Sequence, residues 1–521
     1  MIATKEELPE VRRRRHAATR RAVLYGLILA GGVLRLIGLS GKSFWVDEIQ
    51  SLSIAQNFDL IMSYCRGGHT PPLRYFIVGA FHHLPNPEFS VRLPAVVFGA
   101  LSIALLLWIG ERLYDWRAGV LAAVLLLLSP WHLDQSQDAR YYAVILFLAL
   151  AALGLAIRIV EQPANLWRWA ALAAACAFNL YLSYVAVFSV APTVGYLAWC
   201  AWTSWRRSHD RERARMFLRG TALAALVGLL ILLPWLTEMT GLLDRYVRPI
   251  PHSADGSSMS AKRASSSLQP PIAWRTSFDW AYGDDLLVKL GLQQPAVKWA
   301  LLGFFGIGLV AIVRRNRTAA MLAAFWFILP WAVIFTTGIR HFCPPRYLIH
   351  YLGLYLPLAA VGIVAVWDRL DAAALSPSLS KPSIRIRRAA FFGVAAAIAL
   401  AALLAYALED IRYFRTQKQD WRSAVHFLDQ NAAASDAILA GGFWTPYGLQ
   451  QYVSELRRPL NLVGSCVTAP RIEYELALNP RAWYVTWGPL PPDVADVLAR
   501  RFDFVGAFPG TQGIILIYRS K

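Results

Sequence analysis

The stretch SFWVDEIQ, at residues 43–50, places two adjacent carboxylates directly after the first long apolar run of the chain. Acidic side chains beside a membrane-spanning run are costly and for that reason mark functional positions. One role is to accept a proton from an attacking hydroxyl group, and the alternative is to stabilise the N-terminus of a helix that begins near Ile49. Asp47 is the candidate general base. Glu48 is a second candidate catalytic residue, expected to orient a basic group or a substrate.

A second polar cluster lies in the stretch SQDARYY, where Asp138 and Arg140 stand at the boundary of another apolar run. Convergence of Asp138 with Asp47 after folding is one interpretation. The alternative is that Arg140 anchors the chain at the membrane interface beside two tyrosines. Because hard cations bind carboxylate oxygens, a divalent ion between Asp47 and Asp138 is left open as a cofactor.

Further candidates are suited to binding a phosphate and a sugar. Arg346, followed by Tyr347 in the stretch CPPRYL, can bind a phosphate through two guanidinium hydrogen bonds, and its alternative role is to reach the lipid headgroups. Arg74 is a weaker candidate of the same kind. His69 precedes two prolines and is a candidate ligand of substrate or metal, whereas Trp45 beside the base is placed to stack on a sugar ring.

The composition is that of a membrane protein. The chain has 521 residues, of which 56% are hydrophobic and 16% are charged, and its net charge is +19. The basic residues cluster in short blocks between apolar runs, such as residues 12–15 and 381–388, as topology signals do. This distribution excludes nucleic acid as the partner and leaves room for contacts with anionic lipid headgroups.

Eleven apolar runs are long enough to be predicted as membrane spans. They lie at residues 22–40, 91–110, 118–133, 141–160, 167–182, 184–203, 217–238, 297–313, 318–338, 347–366 and 389–408. The run at 71–84 is short and contains Arg74, His82 and His83, so it is interpreted as an interfacial helix. Treating it as interfacial also places the main basic blocks on the same side as the N-terminus, in agreement with the positive-inside rule.

This topology puts the polar clusters on one side of the membrane. With the N-terminus cytoplasmic, residues 41–90, 133–140, 240–296 and 336–347 and everything after residue 409 are external. We predict a membrane domain at residues 1–408 and a small α/β domain at residues 409–521. In the second domain DWRSAVHFLDQNA is an amphipathic pattern, and DAILAGG, AWYVTWG and GIILIYR are typical of short strands.

The ordered set of motifs resembles the bacterial branch of the GT-C glycosyltransferases. The motifs are FWVDEIQSLSIA, HTPPLRYFIVGAFHHL, the run from EFSVRLPAVVF to DQSQDARYYA, PPRYLIHYLGLYLPLAA and the later DWR. More narrowly, the chain resembles the family of dolichyl-phosphate-mannose–protein mannosyltransferases and lipid A aminoarabinose transferases. One departure is Ser183, which stands in LYLSYVAVF where many relatives carry a histidine.

The resemblance implies a polytopic all-α membrane fold of about eleven spans, interfacial helices in the first external loop and a small external α/β domain. It also implies a polyprenyl-phosphate-linked sugar donor, an acceptor hydroxyl on a glycolipid, polysaccharide or protein, and a catalytic acid in the first external loop. One-step displacement predicts inversion at the anomeric carbon. The expected location is the bacterial inner membrane. A transporter or flippase is the alternative function, and a non-catalytic scaffold is a second.

Overall fold

The computed structural model describes most of the chain. The described residues are 7–66, 70–206, 211–247, 280–291, 294–337, 344–374, 393, 401, 404–442, 444–453, 456, 460–488 and 490–521. His69 and most of the predicted span at 389–408 lie outside them. Within them, a bundle of long helices is followed by a five-stranded sheet with its own helices. The predicted polytopic α fold with a C-terminal α/β part is confirmed.

The bundle contains fifteen helices among the described residues, and two 3₁₀ helices lie between them, at Tyr184–Ala186 and Pro345–Tyr351. The helices are α1 (Glu7–Leu36), α2 (Val46–Ile54), α3 (Phe58–Arg66), α4 (Leu73–Phe81), α5 (Pro87–Leu113), α6 (Trp116–Leu127), α7 (Pro130–Ser136), α8 (Tyr142–Glu161), α9 (Leu166–Leu182), α10 (Val187–Arg206), α11 (Arg211–Val247), α12 (Trp280–Gly291), α13 (Pro295–Arg315), α14 (Arg317–Thr337) and α15 (Leu352–Ala374).

Eight of the described helical segments are long and apolar enough to cross a membrane, and a bent pair would make nine. Helix α9, with 17 residues, lies at the lower limit of spanning length. The predicted span at 118–133 differs from the structure, because α6 and α7 meet at an angle of 61°. Pro130 begins α7, and proline cannot continue the hydrogen-bond ladder of a preceding helix.

The short helices α2, α3 and α4 have nine residues each and follow one another between α1 and α5. Nine helical residues extend about 14 Å, far less than a bilayer core. Helix α4 therefore cannot cross the membrane, which agrees with the interfacial interpretation of residues 71–84. These three helices form a cap at one end of the long helices, and Asp47 lies in the first turn of α2.

Close helix contacts in the bundle depend on small residues. Gly308 on α13 and Gly362 on α15 face each other so closely that a Cβ atom on either would meet the backbone of the partner helix. Helix α15 is buried along most of its length. Small residues at helix crossings allow this approach in membranes, where packing rather than water exclusion holds helices together.

The C-terminal part contains a mixed sheet in the order β2-β1-β3-β5-β4, in which β1 pairs in parallel with β2 and β3, and β5 pairs antiparallel with β3 and β4. The strands are β1 (Ala437–Gly441), β2 (Asn461–Ser465), β3 (Ala482–Trp487), β4 (Phe502–Gly510) and β5 (Gly513–Ser520), and the helices are α16 (Trp421–Asn431), α17 (Thr445–Val453), α18 (Ala469–Leu478) and α19 (Pro492–Arg501). The three predicted strands correspond to β1, β3 and β5, and the predicted amphipathic helix is α16.

The two faces of the sheet belong to different cores, because alternate residues of a strand point to opposite sides. Ala437 and Leu439 of β1 pack with α18 and α19. Ile438 and Ala440 join a core that is continuous with the helical bundle. The domain boundary at residue 408 remains a prediction, and a helical segment at residues 404–415 extends across it.

Candidate active site

Asp47 lies between two arginines from distant parts of the chain. Its Oδ2 atom is 3.7 Å from a terminal guanidinium nitrogen of Arg140 and 3.7 Å from one of Arg346. Both distances exceed ordinary hydrogen-bond length, so these are loose ion pairs. The Asp47 side chain is 22% exposed, which keeps the carboxylate in reach of a substrate. The structure thus brings together three of the residues that were predicted from the sequence.

Arg140 is presented by a turn whose backbone is unusual. Tyr141 has φ of 58°, a left-handed conformation that is uncommon for a residue with a side chain. Its hydroxyl group donates a hydrogen bond of 2.9 Å to the carbonyl of Val91, and its ring is fully buried. The buried ring and this bond hold the turn in place immediately before α8 begins.

Glu48 points away from Asp47 and is fully buried. Its two carboxylate oxygens accept hydrogen bonds of 2.8 and 2.6 Å from Arg92, and one of them also accepts a bond of 3.0 Å from the backbone N–H of Ala139. The second oxygen faces the backbone N–H of Trp45 at 3.4 Å. With its oxygens engaged in this way, Glu48 is placed to orient α2 and the 138–140 turn. Both of its oxygens face protein groups in this geometry.

Asp138 is likewise engaged in a buried pair. Its Oδ2 atom lies 2.6 Å from Nζ of Lys418, and its Oδ1 atom accepts a bond from the backbone N–H of Arg140. Burial alone would raise the pKa of Asp138, but the neighbouring Lys418 ammonium and the Arg140 N–H hold it below the ordinary value. Lys418 also pairs with Asp134 at 3.1 Å. Asp138 therefore anchors the turn that carries Arg140.

The donor set does not fit a divalent ion between Asp47 and Asp138. Asp47 faces two guanidinium groups, and Asp138 is paired with an ammonium group. In the described parts of the chain, no group of three acidic, histidine or cysteine side chains converges to hold a metal ion. His69, the other candidate ligand, is outside the described residues.

Arg74 and a set of aromatic rings surround the Asp47 cluster. Arg74 is buried and donates hydrogen bonds to the hydroxyl groups of Thr70 and Tyr75. The rings of Tyr142 and Tyr347 are 5.9 Å apart. These groups give the site an excess of positive charge inside an aromatic wall.

Trp45 lies between two cations. Its ring is 5.8 Å from the Arg346 guanidinium carbon and 5.1 Å from Nζ of Lys418, distances at which a cation is attracted to the face of an aromatic ring. The ring is 6% exposed. Trp45 therefore stabilises the two cations. Stacking on a sugar, the predicted role, would use only the small exposed part of its ring.

Several buried N–H groups of this cluster have no acceptor among the described residues. They are Nε of Arg74, Nε of Arg140, Nε of Arg346 and Nε1 of Trp45. Buried donors without acceptors are costly and uncommon in folded proteins. Two of the four belong to the guanidinium groups of Arg140 and Arg346, which flank the Asp47 carboxylate, and this is the arrangement expected where an anionic ligand supplies the acceptors.

Residues of the C-terminal part hold α2 in place and were not identified from the sequence. The side chains of Gln417, Gln419 and Tyr452 accept hydrogen bonds of 3.0, 2.9 and 2.5 Å from the backbone N–H groups of Ser43, Val46 and Phe44. These three bonds supply acceptors for backbone N–H groups at and before the start of α2. Such groups have no carbonyl partner within the helix. In the sequence Gln417 and Gln419 belong to the polar run TQKQDWR at residues 416–422. Only the last three residues of this run, DWR, are part of the family resemblance.

Comparisons with known proteins agree with this architecture. Residues 69–237 match the family model described as dolichyl-phosphate-mannose-protein mannosyltransferase. An undecaprenyl phosphate-alpha-4-amino-4-deoxy-L-arabinose arabinosyl transferase from Pseudomonas paraeruginosa is 30% identical over 230 residues, which are 40% of this chain and 39% of that protein. The Pseudomonas aeruginosa enzyme of the same name is 29% identical over 238 residues, 42% of this chain and 40% of that protein. The matched regions thus span about two fifths of these relatives.

Two solved structures share the fold over nearly the whole chain. ArnT from Cupriavidus metallidurans, in a crystal structure bound to undecaprenyl phosphate, has a TM-score of 0.52 at 16% identity and covers 94% of this chain and 97% of its own. The oligosaccharyltransferase AglB from Archaeoglobus fulgidus, solved with an inhibitory peptide and a dolichol-phosphate, has a TM-score of 0.52 at 13% identity, covering 90% of this chain and 69% of its own. These findings confirm the resemblance to GT-C glycosyltransferases of the aminoarabinose and protein mannosyl transferase type.

Proposed function

We propose that this integral membrane protein is a glycosyltransferase that moves a sugar from a polyprenyl-phosphate donor to a hydroxyl group of an acceptor. The observation that carries the proposal is the position of Asp47, 3.7 Å from both Arg140 and Arg346 and beside guanidinium N–H groups without acceptors among the described residues. A base and a phosphate-binding cluster are the two parts that such a transfer requires.

Binding of the donor would rearrange these ion pairs. A phosphate between Arg140 and Arg346 accepts hydrogen bonds from both guanidinium groups, in the bidentate geometry that arginine favours. The loose contacts of 3.7 Å to Asp47 are weaker than such bonds and are exchanged for them. The carboxylate of Asp47 is then left to accept a proton. Arg74, which donates to the hydroxyl groups of Thr70 and Tyr75, is a further candidate cation for the donor phosphate.

The transfer itself is a single displacement. The acceptor hydroxyl gives its proton to Asp47 while its oxygen bonds to the anomeric carbon of the sugar. The bond between that carbon and the phosphate oxygen breaks, and the polyprenyl phosphate leaves with the electron pair, stabilised by the arginines. Because the acceptor enters opposite the leaving phosphate, the anomeric configuration is inverted.

The relatives suggest what the substrates are. One is named for an undecaprenyl phosphate-linked aminoarabinose, and a neighbour of the same fold was solved with undecaprenyl phosphate. We propose an undecaprenyl-type donor for this chain. Mass spectrometry of membrane lipids and glycans would identify the acceptor class as a glycolipid, a polysaccharide or a protein.

We further propose that the N-terminus is cytoplasmic and that the site faces the exterior of a bacterial inner membrane. The basic blocks between spans support this orientation by the positive-inside rule. Asp47, Arg140 and Arg346 lie within segments that this topology places outside. The α/β part, which holds α2, is then external as well.

The test is lipid and glycan mass spectrometry on membranes from cells that lack the protein, complemented with the wild type or with Asp47→Asn. Loss of one defined sugar that only the wild type restores identifies the product and supports Asp47 as the base. Full restoration by Asp47→Asn removes Asp47 from the chemistry. No change in any glycan favours the transporter or flippase alternative.

A further inference from the structure

A groove of about 570 Å³ lies between the short helices of residues 41–90 and the C-terminal α/β part. We call it the α2–α17 groove. One wall is formed by Ser53 and Gln56, a second by His82 and His83, and the third by Tyr447 and Gln450 of α17. Its volume is in the range of small-molecule binding sites.

This groove is separate from the Asp47 cluster. Ile49 and Leu52 of α2 form part of its lining. At about 100° per residue, Ile49 and Leu52 point about 160° and about 140° away from Asp47 around the helix axis. Helix α2 therefore has the anion-binding cluster on one side and the groove on the other.

The lining of the groove is unusual for this chain because it lacks fixed charge. The chain has 52 lysines and arginines and 33 acidic residues, yet no described residue that lines the groove is one of these. A phosphate or a carboxylate would find no counter-ion there. The described lining therefore favours an uncharged ligand.

The polar groups that are present can both donate and accept hydrogen bonds. Amide side chains such as Gln450 and hydroxyl groups such as Ser53 offer both functions, which matches the paired donor and acceptor character of sugar hydroxyl groups. Tyr447 and Gln450 are three positions apart on α17 and share its outward face. The Tyr447 ring is 41% exposed and lies 5.7 Å from the ring of Trp444, which gives an apolar surface for the C–H face of a sugar.

His82 adds an oriented imidazole ring. Its Nδ1 atom lies 3.0 Å from the carbonyl oxygen of Gly79. A carbonyl only accepts, so Nδ1 is the donor in this bond. The ring of His83 lies 3.6 Å from it, centroid to centroid. The sequence predicts these histidines only as polar residues of an interfacial helix, and the structure places both in the lining of the groove.

We propose that the α2–α17 groove binds an uncharged oligosaccharide. Its purpose would be to hold the glycan part of the acceptor while another part reaches Asp47, and this purpose rests on the proposed function. Binding at a distance from the reacting atoms would let the enzyme use acceptor contacts to position the attacking hydroxyl. The binding itself does not depend on the transfer reaction.

The test measures binding, not transfer. The full chain in lipid nanodiscs is applied to an array of neutral oligosaccharides and of phosphorylated or uronic acid-containing ones. The variants are Tyr447→Ala and Gln450→Ala, whose exposed side chains are replaced without disturbing the core. Tyr474→Ala is the matched control, since Tyr474 is 56% exposed on α18 and does not line the groove. Asp47→Asn is the second control.

We expect neutral oligosaccharides to bind the wild type, at least tenfold weaker binding to Tyr447→Ala and Gln450→Ala, and unchanged binding to both controls. Three results would overturn the proposal: no neutral oligosaccharide bound by the wild type, equal binding by the groove variants, or a preference for charged glycans. Because Asp47→Asn is expected to bind normally here while losing transfer, failure of the proposed function and failure of this proposal give different results.

Discussion

The guanidinium group of Arg346 lies 3.7 Å from the carboxylate of Asp47, although most of the helical bundle separates the two residues in the sequence. Asp47 lies in the first turn of α2, and Arg346 is in the 3₁₀ helix that precedes α15. The sequence predicts Asp47 as a base and, independently, Arg346 as a phosphate ligand. Their contact brings the proposed base and the proposed phosphate ligand together.

Replacing Asp47 by asparagine should separate chemistry from donor binding. Loss of the base is expected to lower transfer by about 10²- to 10⁴-fold. Binding of undecaprenyl phosphate should become tighter, since the carboxylate no longer competes for Arg140 and Arg346. A transfer assay and a binding titration on the purified protein measure both. Asp59→Asn, at an exposed position of α3, is the control, and weaker phosphate binding by Asp47→Asn would contradict the exchange of ion pairs.

Replacing Arg346 by alanine should weaken binding of undecaprenyl phosphate by about 10- to 100-fold, the effect of losing hydrogen bonds to a charged group. Arg346→Lys should recover only part of the affinity, because an ammonium group lacks the bidentate geometry. The measurement is a titration of the purified protein. Arg412→Ala, at an exposed position, is the control, and an equal effect in both variants would show that only net charge matters.

The buried Glu48–Arg92 pair is predicted to support stability. Glu48→Gln leaves an uncompensated guanidinium group and should lower the free energy of unfolding by about 3–5 kcal/mol. The double variant Glu48→Gln with Arg92→Met should recover part of this loss, since no unpaired charge remains. Thermal unfolding in detergent compares the stability of the wild type and the two variants. A double variant no more stable than Glu48→Gln alone would indicate that packing, not the unpaired charge, is responsible.

Lys418 is predicted to position the turn that carries Arg140. Lys418→Met leaves Asp134 and Asp138 without their ammonium partner, and transfer should fall by about tenfold or more with a higher KM for the donor. Adding Asp138→Asn should restore part of the activity, because the buried carboxylate is then neutral. The measurement is KM for the donor and kcat, determined separately for each variant. A loss confined to kcat would argue that Lys418 acts on the reacting atoms.

Lys42 is predicted to make stability depend on pH. Its Nζ atom donates to the carbonyl of Tyr413 at 2.9 Å, and burial, together with the charges of Lys418 and Arg92, lowers the pKa of Lys42 from the ordinary 10.5 to about 7 although Asp134 raises it. Between these pH values the unfolded chain holds one more proton than the folded protein. The free energy of unfolding therefore rises as the pH increases from about 7 to about 10.

Thermal unfolding of the wild type and of Lys42→Met across this pH range measures the Lys42 contribution. The difference in melting temperature between the two proteins should change steadily through the range, in favour of the wild type at high pH. A difference that is constant with pH would show that Lys42 titrates alike in the folded and unfolded chain.

The sequence by itself determined the type of molecule. Long apolar runs predict helices that cross a bilayer, because hydrocarbon leaves the backbone no other hydrogen-bond partner. Adjacent acids after such a run, and an arginine before another, are local signals that need no knowledge of the fold. Asp47, Arg140 and Arg346 were found in this way. The strands β1, β3 and β5 were likewise visible as short apolar runs.

Tertiary structure decided what the sequence could not. Glu48 and Asp47 are neighbours with the same chemistry, yet one is buried against Arg92 and the other is open, since consecutive residues of a helix point about 100° apart. The partnership of Lys418 with Asp138 joins residues far apart in the chain, and no local pattern specifies such a pair. The α2–α17 groove exists only because the α/β part packs beside α2. Local periodicity predicts elements, whereas a site depends on which element faces lie together in space.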